Sequence, residues 1–466
     1  MDMLTFGLER SGDKRLYEQL YDHIKQEITE GRLVFQAKMP SKRKLAEFLQ
    51  VSQNTIEAAY DQLVAEGYLE SIPRKGYYVM AYEELEFSGA KERSRSAANE
   101  SKEDDFYHFH PSRIDAAPFP FARWRKYAKD MIGEENQDLL LLGDYKGEPA
   151  LRREIASYLY HSRGVICSLE QIIIGSGTEY LLPQLVHLLG EAAVYAIEDP
   201  GYQLTKHLLS SRGKEVIPVE VDQEGISVEG LKRTAAEAVY VTPSHQFPFG
   251  SVLSINRRTQ LLKWAHQKEN RYIIEDDYDS EFRYSGKSIP SLQSMDKGEK
   301  VIYLSTFSKS LMPSLRIGYM VLPQSLLRRY EHEFSFYSSS VSRFDQHILA
   351  AFMREGDFER HLNKMRKIYR RKLETLVEVL RPYQGTIGII GESAGLHVIL
   401  TVRNGKSEDE LIEQAAGAGI RIYGLSKYSL LPGKREVPHI VLGFAGIPQD
   451  ELEKGIRMLV SSWGFR

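Results

Sequence analysis

VIYLSTFSKSLMPSLRIGYMVLP, residues 301–323, holds two apolar runs, 301–305 and 317–322, around a polar turn that contains Lys309. Short apolar runs bounded by turn residues read as strands buried on both faces. The hydroxyls of Thr306 and Ser308 and the guanidinium of Arg316 flank the lysine and suit a phosphate. A lysine amine forms a Schiff base once desolvation and cationic neighbours make it neutral. An isolated lysine is ordinarily a solvated surface residue, so the case for Lys309 rests on the segments that surround it.

Further apolar runs precede it, at 171–175, 193–197, 215–219, 238–242 and 271–275, with amphipathic segments such as 257–266 between most of them. That alternation predicts a mostly parallel α/β sheet covered on both faces. The tail from about 360 reads as a smaller α+β lobe. Three strand ends add to the lysine. Gly175-Ser176-Gly177-Thr178 lies between a strand and a helix, where glycine lets the backbone approach an anion and the helix start offers free N–H groups. Glu198-Asp199-Pro200-Gly201-Tyr202 presents a ring that can lie flat on an aromatic ligand. Glu275-Asp276-Asp277-Tyr278-Asp279 crowds carboxylates at the C-terminal end of a strand, where open α/β sheets place ligands. A buried carboxylate needs a partner. A protonated pyridine nitrogen would serve, and Mg²⁺ is the alternative.

The first 80 residues have another character. Leu16, Leu20, Ile24 and Ile28 mark one helix face, Pro40-Ser41 opens a second helix, and Ser52 caps a third that stops at Gly67. Two short alternating runs, 67–72 and 76–79, joined by Pro73-Arg74-Lys75, read as a hairpin. Two helices across a tight turn fit a helix-turn-helix, with Ser52, Gln53, Asn54 and Thr55 at the start of the groove-reading helix. Ser41, Lys42, Arg43 and Lys44 fall where phosphate contacts belong, and Arg74 and Lys75 fall at the tip of a wing. Residues 36–46 hold four basic side chains and no acidic one, although the whole chain has a net charge of −3. The basic surface is therefore local.

Between the two parts, SGAKERSRSAANESKEDD (88–105) has no large apolar side chain, which predicts a linker over 81–106 that joins a reader at 1–80 to a domain at 107–466. The length of 466 residues suits roughly three folding units. A single cysteine, Cys167, excludes an intrachain disulfide. The first twelve residues show no signal-peptide core and no run reaches a membrane span, so a cytoplasmic protein without membrane contact is expected.

The stretch MPSKRKLAEFLQVSQNTIEAAYDQLVAEGYLESIPRKGYYV (39–79) resembles the GntR family of winged helix-turn-helix regulators. The segments around Gly175, Tyr202, Asp276 and Lys309 resemble the fold-type I pyridoxal-phosphate (PLP) enzymes of the aminotransferase superfamily. Together, with VTPSHQFPFGSVLS (241–254), YIIEDDYDSEF (272–282) and STFSKSLMPSLRIGYMVLP (305–323), they resemble the MocR/GabR subfamily. The resemblance implies PLP held as an internal aldimine by Lys309 and a pyridine nitrogen on Asp276, with Asp277 as the alternative. It implies Tyr278 on the phenolic oxygen and Tyr202 stacked on the ring. Ser176, Gly177, Thr178, Thr306, Ser308 and Arg316 would hold the phosphate. It also implies a head-to-tail homodimer on paired DNA half-sites.

The chain departs from working aminotransferases at two positions. Phe247 stands where they carry asparagine before the Pro-x-Gly turn, with His245 and Gln246 as partial substitutes, and Val441 stands where they carry a carboxylate-binding arginine. Both departures point away from efficient turnover. The reading is therefore a PLP-dependent regulator that senses an amino acid or amine by external aldimine formation, with Lys427 and Arg316 as cations facing the effector. Family members that bind ω-amino acids carry arginine at the positions of Lys427 and Leu204, which puts a GABA-type effector in doubt. The alternatives are an active aminotransferase with a tethered reader and a sensor of PLP itself.

Overall fold

The computed structural model describes residues 14–80, 107–286, 289–431 and 436–465. The expected linker, 81–106, and the first thirteen residues lie outside the described residues. The chain divides into two compact units, one within residues 1–101 and one within 102–466.

The first unit runs α1 (Leu16–Thr29), α2 (Lys42–Leu49), α3 (Gln53–Ala65), then the antiparallel hairpin β1 (Leu69–Ile72) and β2 (Gly76–Val79). Ser41 Oγ accepts the Lys44 N–H and Ser52 Oγ accepts the Thr55 N–H, so both serines close the helix starts that they precede. Gln50 takes a left-handed conformation (φ 53°) and makes the tight turn between α2 and α3. Leu20, Ile24, Leu45, Ile56, Tyr60 and Leu63 interlock as its core. The wing turn closes by the Lys75 N–H on the Ile72 carbonyl at 3.0 Å, with Pro73 leading and Arg74 at φ 65°, a type II arrangement.

The second unit opens with β3 (Tyr107–His108), α4 (Phe121–Met131) and α5 (Pro149–Arg163). Its large sheet follows in chain order: β4 (Ile172–Gly175), β5 (Tyr195–Asp199), β6 (Val216–Asp222), β7 (Gly225–Ile226), β8 (Ala238–Val241), β9 (Tyr272–Asp277), β10 (Val301–Thr306) and β11 (Gly318–Val321). α6 (Thr178–Leu189) leaves directly from β4. The spatial order is β4-β11-β10-β9-β8-β5-β6-β7, parallel from β10 through β6 and antiparallel where β11 sits between β4 and β10 and where β7 meets β6. Apolar clusters fill both faces of this sheet, as its unbroken apolar strands require.

The smaller lobe follows the long helix Asp357–Leu380. It holds an antiparallel sheet of β12 (Ile387–Ile390), β13 (His397–Val402), β15 (Tyr423–Gly424) and β16 (His439–Gly443), in the order β12-β13-β16-β15. The remaining strand, β14 (Ile420–Arg421), pairs in parallel with β3. That pairing lays the segment after β3 along the smaller lobe and across to Lys309. No described helix is long and apolar enough to cross a membrane.

Candidate cofactor site and DNA-reading surface

The parallel strands deliver their C-terminal ends to one edge of the sheet, and β11, running the other way, brings Arg316 and Gly318 to the same edge. Lys309 follows β10 there. Its ammonium donates to the Pro111 carbonyl at 2.8 Å. Burial pulls its pKa down from 10.5 to about 8, against the opposing charge of Asp279. The amine is thus poised to lose its proton near neutrality, as imine chemistry requires.

The alternation of β9 sorts the acids. Glu275 accepts the Leu292 and Gln293 N–H groups at 2.7 and 2.8 Å. Asp277 Oδ2 accepts Arg163 Nε at 2.6 Å and the Tyr303 hydroxyl. Asp276 points to the other face and accepts the Tyr240 hydroxyl. Burial, reinforced by Asp277 and Asp279, lifts its pKa to about 7. Among the described residues no ion pair reaches it, whereas Asp277 already has its guanidinium. Arg163, the last residue of α5, went unnoticed in the sequence because nothing local separates it from a surface arginine at a helix end.

Phe247 lies flat on Tyr202, with ring centroids 4.1 Å apart and planes 14° from parallel, and Tyr278 meets Tyr202 edge-on at 5.2 Å. Phe247 therefore braces the aromatic wall, and Tyr202 has one ring face covered by protein. The anion cradle is close-built. Gly177 has φ +101°, and a Cβ there would lie 2.8 Å from Arg316 Nη2. Arg316 donates to the Ser176 carbonyl at 3.1 Å and to Glu179 Oε2 at 2.6 Å. Thr178 opens α6, and Thr306 Oγ1 accepts the Ser308 N–H at 3.4 Å. Glu179 has no mark in the sequence that sets it apart. A carboxylate in the first turn of a helix is so ordinary a feature that it gives no signal.

Lys427 is exposed, with its ammonium 4.4 Å from the centroid of the Tyr423 ring. It bears on the same imidazole as Lys309. Burial, then the charges of His108, Lys309, Lys427 and Arg113, lower the His110 pKa to about 4. Val441, where the enzymes have arginine, is fully buried in a cluster with Phe247, Tyr278 and Tyr428.

On the first unit, Gln53 and Asn54 are exposed at the start of α3, and Arg74 and Lys75 are exposed at the wing. Ser41 and Ser52 each accept a cap N–H through Oγ, and Thr55 Oγ1 bonds Ser52 Oγ at 2.8 Å. Lys42 pairs with Glu57, and Arg43 with Glu47 at 3.0 Å. Lys44 is exposed.

Comparison with known proteins places both units. Residues 16–79 match the family of bacterial regulatory proteins of the gntR type, and residues 113–457 match aminotransferase class I and II. The chain belongs to the GntR regulators of MocR type. It is 41% identical, over 99% of its length and 100% of the relative's, to the uncharacterized HTH-type transcriptional regulator YdeL of Bacillus subtilis. It is 34% identical to the probable rhizopine catabolism regulatory protein MocR of Rhizobium meliloti, over 98% and 95% of the two chains. It is 30% identical to the pyridoxine biosynthesis regulator PdxR of Corynebacterium glutamicum, over 93% of each. The fold matches an archaeal alanine:glyoxylate aminotransferase with a TM-score of 0.68 at 23% identity, over 77% of this chain and 90% of that one. The cofactor of this fold is pyridoxal 5′-phosphate, and a MocR-type site suits it. A buried carboxylate awaits a cation, a lysine is held near neutrality, and a glycine cradle meets an arginine.

Proposed function

We propose that this protein is a PLP-dependent transcriptional regulator whose DNA binding responds to an amino acid or related amine. Bound PLP would supply an aldehyde carbon reactive toward a primary amine, whether that of Lys309 or that of an effector. In this reading Asp276 faces the pyridine nitrogen, Tyr278 faces the phenolic oxygen and Tyr202 covers the ring. Ser176, Gly177, Thr178, Thr306, Ser308 and Arg316 hold the phosphate. Lys427, with Arg316, offers charge to the effector's carboxylate.

The reader would sit at 1–80 and the linker at 81–106, and the protein would act as a head-to-tail homodimer on paired half-sites in the cytoplasm. Leu140, Leu141 and Leu142 are 74%, 70% and 84% exposed and Phe336 is 79% exposed in the single chain. Apolar surface of that kind supports cover by a second copy. A ligand that binds two states unequally shifts their balance, so turnover is not required. Phe247 and the buried Val441 both argue against an efficient transaminase.

A second reading, a sensor of PLP itself, is favoured by the Glu179–Arg316 pair, because phosphate must take Arg316 from that carboxylate. Titration of the holoprotein with a panel of amino acids, reading visible absorbance and operator footprint together, tests the main reading. Coupled changes in both support it. An unchanged response in cofactor-free protein overturns it. A footprint switched by PLP alone selects the second reading, and sustained amino transfer to a keto acid selects an enzyme.

A further inference from the structure

Tyr278 does not stand alone at the rim of the site. Its hydroxyl lies 2.9 Å from His245 Nδ1, and that same nitrogen lies 3.0 Å from both carboxylate oxygens of Asp279. Imidazole and carboxylate are each 2% exposed. The imidazole is wedged. A Cβ on Gly395 would lie 2.0 Å from its Cε1, and one on Gly250 would lie 3.0 Å from its Nε2. Its Nε2 is buried without a hydrogen-bond partner.

These contacts fix the proton. A carboxylate accepts and does not donate, so the Nδ1 it faces on both oxygens carries the hydrogen. The neutral ring then leaves a bare lone pair at Nε2, whereas the cation would bury an N–H there with no acceptor, the costlier outcome. With Nδ1 already a donor, the Tyr278 oxygen can only accept from it. The phenol's own hydrogen must therefore go elsewhere, and in the cofactor-free chain it goes to the neighbouring Tyr202 hydroxyl, on the side away from the imidazole. Burial, followed by the charge of Asp279, keeps that phenol protonated.

We propose that Asp279 and His245 are positioning residues that act through Tyr278. They turn its O–H away from themselves and hold it as a donor toward the phenolic oxygen of the cofactor. The inference rests on the PLP reading above and deepens it. It assigns to a buried Asp–His pair the support that enzymes of this superfamily draw from the asparagine replaced here by Phe247. Among the described residues, the other titratable groups facing this cluster are Tyr202 and Asp276 beside Tyr278, His397 beside His245, and Lys309, Glu281 and Tyr284 around Asp279.

A donor on the phenolic oxygen stabilises its anion, and so lowers the pH at which the lysine–cofactor linkage gives up its proton. The pH midpoint of the holoprotein's visible band reads this directly. Asp279→Asn frees the imidazole to accept from Tyr278, so the midpoint should rise by roughly one unit. Tyr278→Phe should raise it likewise, and the double variant should rise no further than Tyr278→Phe alone. His245→Phe should behave as Asp279→Asn does and replaces it if that variant fails to fold. His245→Asn keeps an N–H donor and should restore most of the wild-type midpoint. If Asp279 acts only as a nearby charge, its removal lowers the midpoint, and that fall, or an unmoved midpoint in both Asp279→Asn and His245→Phe, overturns the proposal. A wild-type protein that takes up no visible band from added PLP overturns the underlying reading instead.

Discussion

Arg163 Nε lies 2.6 Å from Asp277 Oδ2, with the two side chains 4% and 1% exposed, so the last residue of α5 is tied to the last residue of β9 inside the protein. Arg163 also donates to Ser244 and to the Ile289 carbonyl. Burial costs such a pair its hydration, and removing one partner strands the other, at about 3–5 kcal/mol. Asp276, one residue earlier on the other face, holds no such pair.

The two adjacent acids should therefore fail differently. Asp277→Asn is expected to lower the stability of the cofactor-free protein by about 3–5 kcal/mol in urea unfolding, as is Arg163→Leu. Asp276→Asn should leave that stability unchanged or raised, yet weaken PLP retention on dialysis. If Asp277→Asn keeps its stability and loses the cofactor, the assignment of the two acids is reversed.

Lys309→Met should stabilise the cofactor-free protein at neutral pH. The folded amine has a pKa near 8 against 10.5 for the free side chain. Below about pH 8 both states hold the proton, and the folded state bears the whole cost of burying it. Between 8 and 10.5 the folded state sheds the proton first, so wild-type stability rises with pH. The stabilisation by Lys309→Met is thus roughly 3 kcal/mol at most at pH 7 and fades by pH 10.5. Lys309→Ala should also leave no cofactor attached after borohydride reduction, and a retained cofactor would assign the linkage to another residue.

Much of this was legible because strand ends in an α/β sheet carry their chemistry in contiguous sequence. The runs expected at 238–242 and 301–305 agree with the observed Ala238–Val241 and Val301–Thr306 within a residue, and Lys309 and the doubled acid stood beside such runs. The spatial order of the strands was not legible, because apolar runs alone do not reveal that β11 inserts antiparallel between β4 and β10. Nor was the pairing of β3 with β14, whose strands are two residues each and whose paired residues lie 313 positions apart. Arg163, Glu179 and the Asp279–His245 contact depend on distances across the chain that no local pattern encodes. Ser41 and Ser52 show the converse. A serine before a helix start suits a cap and a phosphate contact at once, and in both serines Oγ accepts the cap N–H.

Acidification should stabilise the cofactor-free protein over the acid-to-neutral range. Burial raises the pKa of Asp276, Glu275 and Glu281 to about 7 and that of Glu198 to about 8. Each folded carboxyl keeps its proton to a higher pH than the unfolded chain does, so its contribution is complete below about pH 4 and is lost as pH rises toward 8. The urea midpoint should fall between pH 5 and pH 8, and Asp276→Asn should remove part of the slope. If Asp276 is the partner of the pyridine nitrogen, saturating PLP should remove that same part, because a pyridinium would stabilise its carboxylate. The buried His110, His361 and His397, with pKa values lowered to about 4, 4 and 3, oppose this trend below pH 6.5, so it is a flat profile above pH 6.5 in the cofactor-free protein that would show these acids to be already compensated.

The DNA-reading unit should separate affinity from specificity. Arg43 is 78% exposed and its pair with Glu47 is a surface one, so Arg43→Ala should change stability by well under about 1 kcal/mol. It should weaken binding to every sequence and reduce the salt slope of log K by about 1, the mark of one lost phosphate contact. Asn54→Ala, exposed at the start of α3, should leave the salt slope intact and lower discrimination at one base pair by about 1–3 kcal/mol. Ser52→Ala should cost ~1 kcal/mol of stability through its lost cap. Competition footprints at two salt concentrations distinguish the three. An Asn54→Ala protein that weakens all sites equally, with a reduced salt slope, would move that residue from the bases to the backbone.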